Sequence, residues 1–370
     1  MKFLNRFSQR LHSSLLLQRQ QQQQRGSSAA QSCFSSKASA LSLTSKKRRG
    51  QKITMVTAYD YPSGVHVARA GIDIVLVGDS AAMVEMGFET TQPVTLDQML
   101  HHCQNVKRGL QHAADGPGTT PMLIGDMPFG SYEYEDTDVA LRNAYRFVKE
   151  AGVDAVKIEG GSPSRARTVE KIVGGGVAVM GHVGLTPQAI SVIGGFRAQG
   201  RTASRARELL DEALRLQDAG AFCVVLECVP ANVAAAITET LEVPTIGIGA
   251  GGGTSGQVLV FHDMLGMLSH PHHEAFVPKF CKRYAHIGHV IQDGLQEFKE
   301  DVESGVFPGE EYSPYVMNDK ERVAFEQLLE TDEREREQHH EDIAKKLTAA
   351  DEYEQLHLYG GPPGGDEKKK

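Results

Sequence analysis

The chain has 370 residues, 40% hydrophobic and 23% charged, enough apolar surface for one large core or two modest ones, so disorder of the whole chain is excluded. Five cysteines (Cys33, Cys103, Cys223, Cys228, Cys281) are an odd number without CxxC spacing, which argues against a disulfide scaffold and a structural zinc site. The net charge of −8 is uneven: residues 1–50 hold ten Lys or Arg and no acid, leaving 29 basic against 47 acidic residues in a body with no clustered cations for nucleic acid.

Within the first fifty residues Phe3, Leu4, Phe7, Leu11 and Leu15 recur at helical intervals among Lys2, Arg6, Arg10 and Arg19. A basic, Ser-rich, acid-free amphipathic segment predicts a mitochondrial presequence, expected to be disordered and set aside from the fold. Leu15–Leu17 is too short for the apolar region of a secretory signal. The run Gln20–Gln24 also fits a low-complexity tail, and Lys46–Arg49 a nuclear signal. Apolar runs such as Ala221–Leu226 fall well short of the roughly 20 residues that a spanning helix needs, so a soluble protein with no membrane partner is expected.

From Gln51 onward a short Val- and Ile-rich run alternates with a longer amphipathic stretch. Strands are predicted at Ile53–Tyr59, Ile74–Gly78, Met122–Gly125, Ala155–Ile158, Val177–Met180, Phe222–Leu226, Thr245–Ile248 and Val258–Phe261. Their nearly continuous apolar character suits parallel strands covered on both faces. Helices are predicted over Asp138–Ala151, ahead of Gly152, and Thr202–Ala219, ahead of Gly220. Eight alternations over about 260 residues predict an α/β fold, a (β/α)8 TIM barrel over residues 51–314, with a doubly wound open sheet as the alternative. Residues 315–370 read as an acidic helical extension and a disordered tail: Asp319–Leu356 holds 13 acidic and six basic residues. A solvated helix is the plain reading of that stretch, and a partner-binding helix the sharper one.

Six consecutive strand candidates end in ionisable groups, marked by Asp60, Asp79, Asp126, Lys157 with Glu159, His182 and Glu227. A barrel builds its active site from such residues at the C-terminal face, although a lone Asp after a strand often only caps the next helix. Asp79, Asp126 and Glu159 end three successive strands, about 4.8 Å apart if neighbouring. Three like charges so close need a cation, and an all-oxygen donor set selects a hard ion, Mg2+. Lys157 and Ser80 suit a carboxylate or carbonyl that also chelates the metal. Glu227, after an apolar run, is placed where desolvation would make it a base, which implies enolisation of a chelated 2-oxo acid. His182 fits either charge stabilisation or a structural role. Gly247–Gly252 satisfies GxGxxG but follows the seventh strand, so a glycine-rich turn beside an anionic ligand is expected rather than a dinucleotide site. His270, His272 and His273 fall in an apparent surface insertion and are not expected to be ligands.

The segments TMVTAYDYPSG, VLVGDSAAMV, QPVTLDQMLHH, GDMPFGSY, AVKIEGG, VMGHVGLTPQ, GGFRAQGR, VVLECVP, PTIGIGAG and VFHDMLGM, in this order, resemble the ketopantoate hydroxymethyltransferase family. That resemblance implies a (β/α)8 barrel of the phosphoenolpyruvate and pyruvate superfamily, assembled as a decamer and acting in pantothenate biosynthesis. It implies transfer of a hydroxymethyl group from 5,10-methylenetetrahydrofolate to 3-methyl-2-oxobutanoate. Carried over, its metal ligands match Asp79 and Asp126, with Glu159 reaching Mg2+ through water. Its substrate contacts match Asp79, Ser80, Asp126 and Lys157, its base Glu227 and its functional histidine His182. Two rivals stand beside this reading: another Mg-dependent 2-oxo-acid lyase of the same superfamily, and a barrel scaffold without catalysis. The lyase would need a loop cysteine, whereas Cys228 directly follows Glu227. The scaffold should have lost the ionisable set.

Overall fold

Strand β1 (Ile53–Thr57) pairs in parallel with β2 (Ile74–Val77) on one side and with β8 (Gly256–Leu259) on the other, and this second pairing closes the sheet. Between them run β3 (Met122–Asp126), β4 (Ala155–Glu159), β5 (Ala178–Gly184), β6 (Cys223–Glu227) and β7 (Thr245–Ile248), each paired in parallel with the next. The open-sheet alternative is thereby excluded. The structure is a computed structural model that describes residues 37–113, 120–195, 197–267, 278–331 and 339–349. Residues 1–36, the His270–Ala275 insertion and the tail from 350 onward lie outside the described residues.

All eight predicted strands are present, and β3, β4, β5 and β6 run on far enough to include Asp126, Glu159, His182 and Glu227. The strands are apolar at nearly every position because alternate residues enter two different cores. Ile53, Met55, Ile74, Leu76, Met122, Ile124, Ala155, Met180, Cys223, Val225, Ile246 and Val258 fill one apolar cluster, the barrel interior. Val75, Leu123, Val156, Val179 and Val224 belong to the cluster that also contains helix residues such as Phe147 and Leu216. The predicted helices appear as Thr137–Ala151, ending on Gly152 at φ 67°, and Ala203–Asp218, whose first turn is capped by Thr202. Glycine is needed at 152 because an L side chain disfavours that left-handed conformation.

Two features depart from expectation. Residues 40–48, read from composition as presequence, form a helix (Ala40–Arg48) whose Leu43 is 1% exposed within the barrel-interior cluster. A capping box joins Ser39 and Ser42, and Lys47 Nζ donates to the carbonyls of Thr238, Leu241 and Val243. The described fold therefore includes residues 37–50, ahead of the expected start at Gln51. Secondly, β7 and β8 are joined by residues 249–255 without a helix. A Cβ on Gly251 or Gly253 would lie 2.5 Å or 2.8 Å from the Cβ of Ala231 or Ala235, so these glycines let the return segment lie against the helix Ala231–Thr240. Their demand is steric.

Residues 292–370 form a second compact unit. Its described parts include the remainder of the helix Ile287–Ser304, a 3-10 turn at Glu310–Tyr312, the helix Asp319–Thr331 and helical residues 339–349. Among the described residues no helix is long and apolar enough to cross a membrane.

Candidate active site

The inward alternation that fills the barrel interior continues to the C-terminal strand ends, where it changes from apolar to charged. On β4, Lys157 and Glu159 follow Ala155 at intervals of two. Asp126 follows Ile124 on β3, His182 follows Met180 on β5, and Glu227 follows Val225 on β6. Register places Asp126 opposite Lys157, Glu159 opposite His182 and Gly184 opposite Glu227. Period-two geometry thus puts these side chains on one wall.

Lys157 Nζ lies 2.6 Å from Asp126 Oδ2 and 3.5 Å from Glu159 Oε1. Burial alone would lower the lysine pKa, but Asp126, then Glu159 and Asp79, outweigh it and keep the ammonium charged. Glu159 is held below the usual carboxylate range although burial opposes its charge, because Lys157 and then His182 prevail. Its Oε2 accepts from the Gln188 backbone N–H at 3.1 Å. His182 lies between two acids, Nδ1 3.3 Å from Glu159 Oε1 and Nε2 3.3 Å from Glu227 Oε2. Burial disfavours its imidazolium, yet Glu159 raises its pKa to about 9.

Asp79 is pushed the other way, to about 8, by burial and then by Asp126 and Glu159. Its Oδ2 accepts from Gln188 Nε2 at 3.0 Å, so Asp79 is no helix cap. Asp60 is one: its Oδ1 accepts from Ser63 N at 2.8 Å and starts the helix Tyr61–Arg69. Ser80 precedes the short helix Ala81–Val84 without capping it, and its hydroxyl is 2.8 Å from the hydroxyl of fully buried Tyr59. Glu227 keeps solvent contact at 16% side-chain exposure, unlike the more deeply buried acids around it, so its desolvation is less complete than its apolar run suggested. Its backbone is pinned, since a Cβ on Gly184 would meet the Glu227 carbonyl at 2.3 Å, and Leu185 N donates to that carbonyl at 2.8 Å. Cys228 follows in the left-handed region, φ 51°, a conformation uncommon for a residue with a Cβ.

The structure therefore brings together Asp79, Asp126, Lys157, Glu159, His182 and Glu227, with Ser80 beside Asp79. Sequence reasoning did not find Gln188 or Tyr132, a buried amide and phenol that link the cluster; a loop glutamine carries no signal of burial. Among the described residues no three or more His, Cys, Asp or Glu are arranged to hold a metal ion. Two carboxylates nevertheless fit a hard cation. Asp126 Oδ1 is buried with no hydrogen-bond partner, and Asp79, also buried, sets a second carboxylate beside it, its backbone N–H donating to Asp126 Oδ2 at 3.2 Å. The oxygens of Glu159 are engaged by Lys157, His182 and Gln188, which suits contact through water rather than direct ligation.

Fold and site together define a (β/α)8-barrel enzyme with an acidic, lysine-bridged centre at the C-terminal ends of its strands. A family model described as ketopantoate hydroxymethyltransferase matches residues 37–310, and the chain belongs to that family. It is 57% identical over 281 residues to 3-methyl-2-oxobutanoate hydroxymethyltransferase 1, mitochondrial, of Oryza sativa subsp. japonica, covering 76% of this chain and 75% of the relative. The likewise named protein of Arabidopsis thaliana is 54% identical over 291 residues, 79% of this chain and 81% of its own length. Both of these relatives' names carry a mitochondrial address. Among solved structures, 2,3-dimethylmalate lyase, a PEP mutase/isocitrate lyase superfamily member, is 14% identical with a TM-score of 0.46, over 80% of this chain and 98% of its own. The match from residue 37 coincides with the start of the described fold.

Proposed function

We propose that the strand-end cluster binds 3-methyl-2-oxobutanoate together with Mg2+ and that Glu227 removes the C3 proton. The observation that carries this reading is the division of labour among the acids. Asp79 and Asp126 are buried oxygen donors, one oxygen of Asp126 without a partner, while Glu227 alone among these acids keeps contact with solvent on the same wall. Asp79 and Asp126 would hold the ion directly and Glu159 through water; a hard cation suits all-oxygen donors. When bound, the ion supplies Lewis-acid polarisation of the 2-oxo group.

The ammonium of Lys157 has three donors, and two face Asp126 and Glu159, which leaves one for the substrate carboxylate. Ser80, fixed by Tyr59, adds a hydroxyl. Glu227 accepts the C3 proton, and His182, 3.3 Å from Glu227 Oε2, orients that carboxylate. The electron pair left at C3 attacks the methylene carbon of 5,10-methylenetetrahydrofolate. With one water consumed, the products are 2-dehydropantoate and tetrahydrofolate. The folate donor follows from the family resemblance, as does assembly into a homo-oligomer, the decamer.

Glu227→Gln tests the reading. It should retain 2-oxo acid and Mg2+ binding and lose folate-independent exchange of the C3 hydrogen with solvent deuterium by about 10²- to 10⁴-fold. Exchange at the wild-type rate would move the base elsewhere, with His182 the next residue to test.

A further inference from the structure

Gln188 lies in the 3-10 turn Pro187–Ala189 that follows β5, yet it is 2% exposed and all of its hydrogen-bonding groups are used. Its Nε2 donates to Asp79 Oδ2 and to the Met127 carbonyl, both at 3.0 Å. Its Oε1 accepts from the Tyr132 hydroxyl, which in turn accepts from Glu159 N at 3.2 Å. Its backbone N–H donates to Glu159 Oε2 at 3.1 Å, and its carbonyl accepts from Gln92 Nε2 at 2.9 Å. One residue thus ties together the ends of β2, β3, β4 and β5.

The orientation of the amide is determined by chemistry. A carboxylate oxygen and a carbonyl at one end demand the NH2 group there, and the Tyr132 hydroxyl, already accepting from Glu159 N, has its proton for Oε1. A flipped amide would set oxygen against both acceptors. A neutral donor also suits the place: it fixes Asp79 Oδ2 without adding a charge that would compete with a cation for the carboxylate. Asp126 is fixed in the same manner, its Oδ2 taken by Lys157 and by Asp79 N at 3.2 Å while its Oδ1 is left without a partner.

We infer that Gln188 is a positioning residue, whose amide, itself oriented by Tyr132, fixes one oxygen of Asp79 so that the other is offered to the divalent ion. This inference rests on the cation reading above and adds residues to it.

The test is direct Mn2+ binding to the chelator-treated full chain, read from the electron paramagnetic resonance of free Mn2+, for wild type, Asp79→Asn, Gln188→Met, Tyr132→Phe and the Gln188→Met/Tyr132→Phe double variant. A hydrogen bond to a charged group sets the scale, so Gln188→Met should bind Mn2+ about 10- to 100-fold more weakly. Tyr132→Phe should show a smaller loss, and the double variant should bind no more weakly than Gln188→Met alone, because both act through one amide. Additive losses, or binding by Gln188→Met within twofold of wild type while Asp79→Asn is impaired, would overturn the inference and leave the cation reading standing. No Mn2+ binding by wild type, or none lost in Asp79→Asn, would overturn both. If Gln188→Met fails to fold, Gln188→Asn serves in its place, since its amide is one methylene too short to reach Asp79 and Met127 together.

Discussion

Asp126 and Lys157 are register partners on adjacent strands, and their side chains meet at 2.6 Å, almost wholly removed from solvent. Removing one partner of such a pair leaves the other as an uncompensated buried charge, at a cost of about 3–5 kcal/mol. Lys157→Met should therefore lower the thermal midpoint clearly as well as abolish turnover, and thermal denaturation followed by circular dichroism checks it. An unchanged midpoint would show that the lysine serves substrate alone.

The acids should separate by role. Asp79→Asn and Asp126→Asn remove the proposed direct contacts, so neither should show Mg2+-dependent turnover at modest Mg2+. Glu159→Gln removes a group expected to act through water, and it should raise the half-saturating Mg2+ concentration about 10- to 100-fold with turnover recovered at saturation. Metal titration of initial rates distinguishes the two patterns. Equal behaviour of all three variants would contradict the assignment.

Cys228 supplies a pH test that also bears on the lyase alternative. Burial, and then the charge of Glu227, push its thiol up to about 12. Only the thiolate is nucleophilic, so at pH 8 about one molecule in ten thousand is reactive at this position. Alkylation of Cys228, followed by mass spectrometry, should be slow at pH 8 and rise about tenfold per pH unit towards 12. Cys228→Ser should keep hydroxymethyl transfer, whereas loss of activity there would revive a cysteine acid.

Much of this centre was legible because charged residues are conspicuous where apolar runs end. Asp126, Lys157, Glu159 and Glu227 interrupt strands that are otherwise Val, Ile and Leu, and period-two alternation explains why they share a wall. Asp60 shows where that logic fails: the same signal, an acid after a strand, gave a helix cap, and only its bond to Ser63 distinguishes it from Asp79. Gln188 was illegible because its burial is produced by four strand ends converging on it, a tertiary property with no local pattern. The helix Ala40–Arg48 was missed for a different reason. Its Lys46 and Lys47 bind a carboxylate and carbonyls of the barrel, yet by composition they are indistinguishable from targeting charge.

That helix yields a further prediction. A chain beginning at Lys37 should be soluble and active, whereas one beginning at Gly50 loses the Lys47 contacts and Leu43 from the apolar cluster of the barrel interior. Removing a fully buried leucine costs about 2–5 kcal/mol, and the longer deletion removes more than that. Expression and size-exclusion chromatography of the two truncations check it; equal behaviour would show that the helix is dispensable.

The same helix sets a limit on maturation. Of the ten basic residues in the first fifty, five (Lys37, Lys46, Lys47, Arg48, Arg49) lie at or beyond the start of the described fold, where Lys37 pairs with Asp154 and Lys46 with Asp73. A protease that trimmed the leader by following its positive charge to the end would excise the floor of the barrel. A cleavage that spares this helix would have to precede Lys37, which would leave five of the ten basic residues of the first fifty with the folded body as masonry.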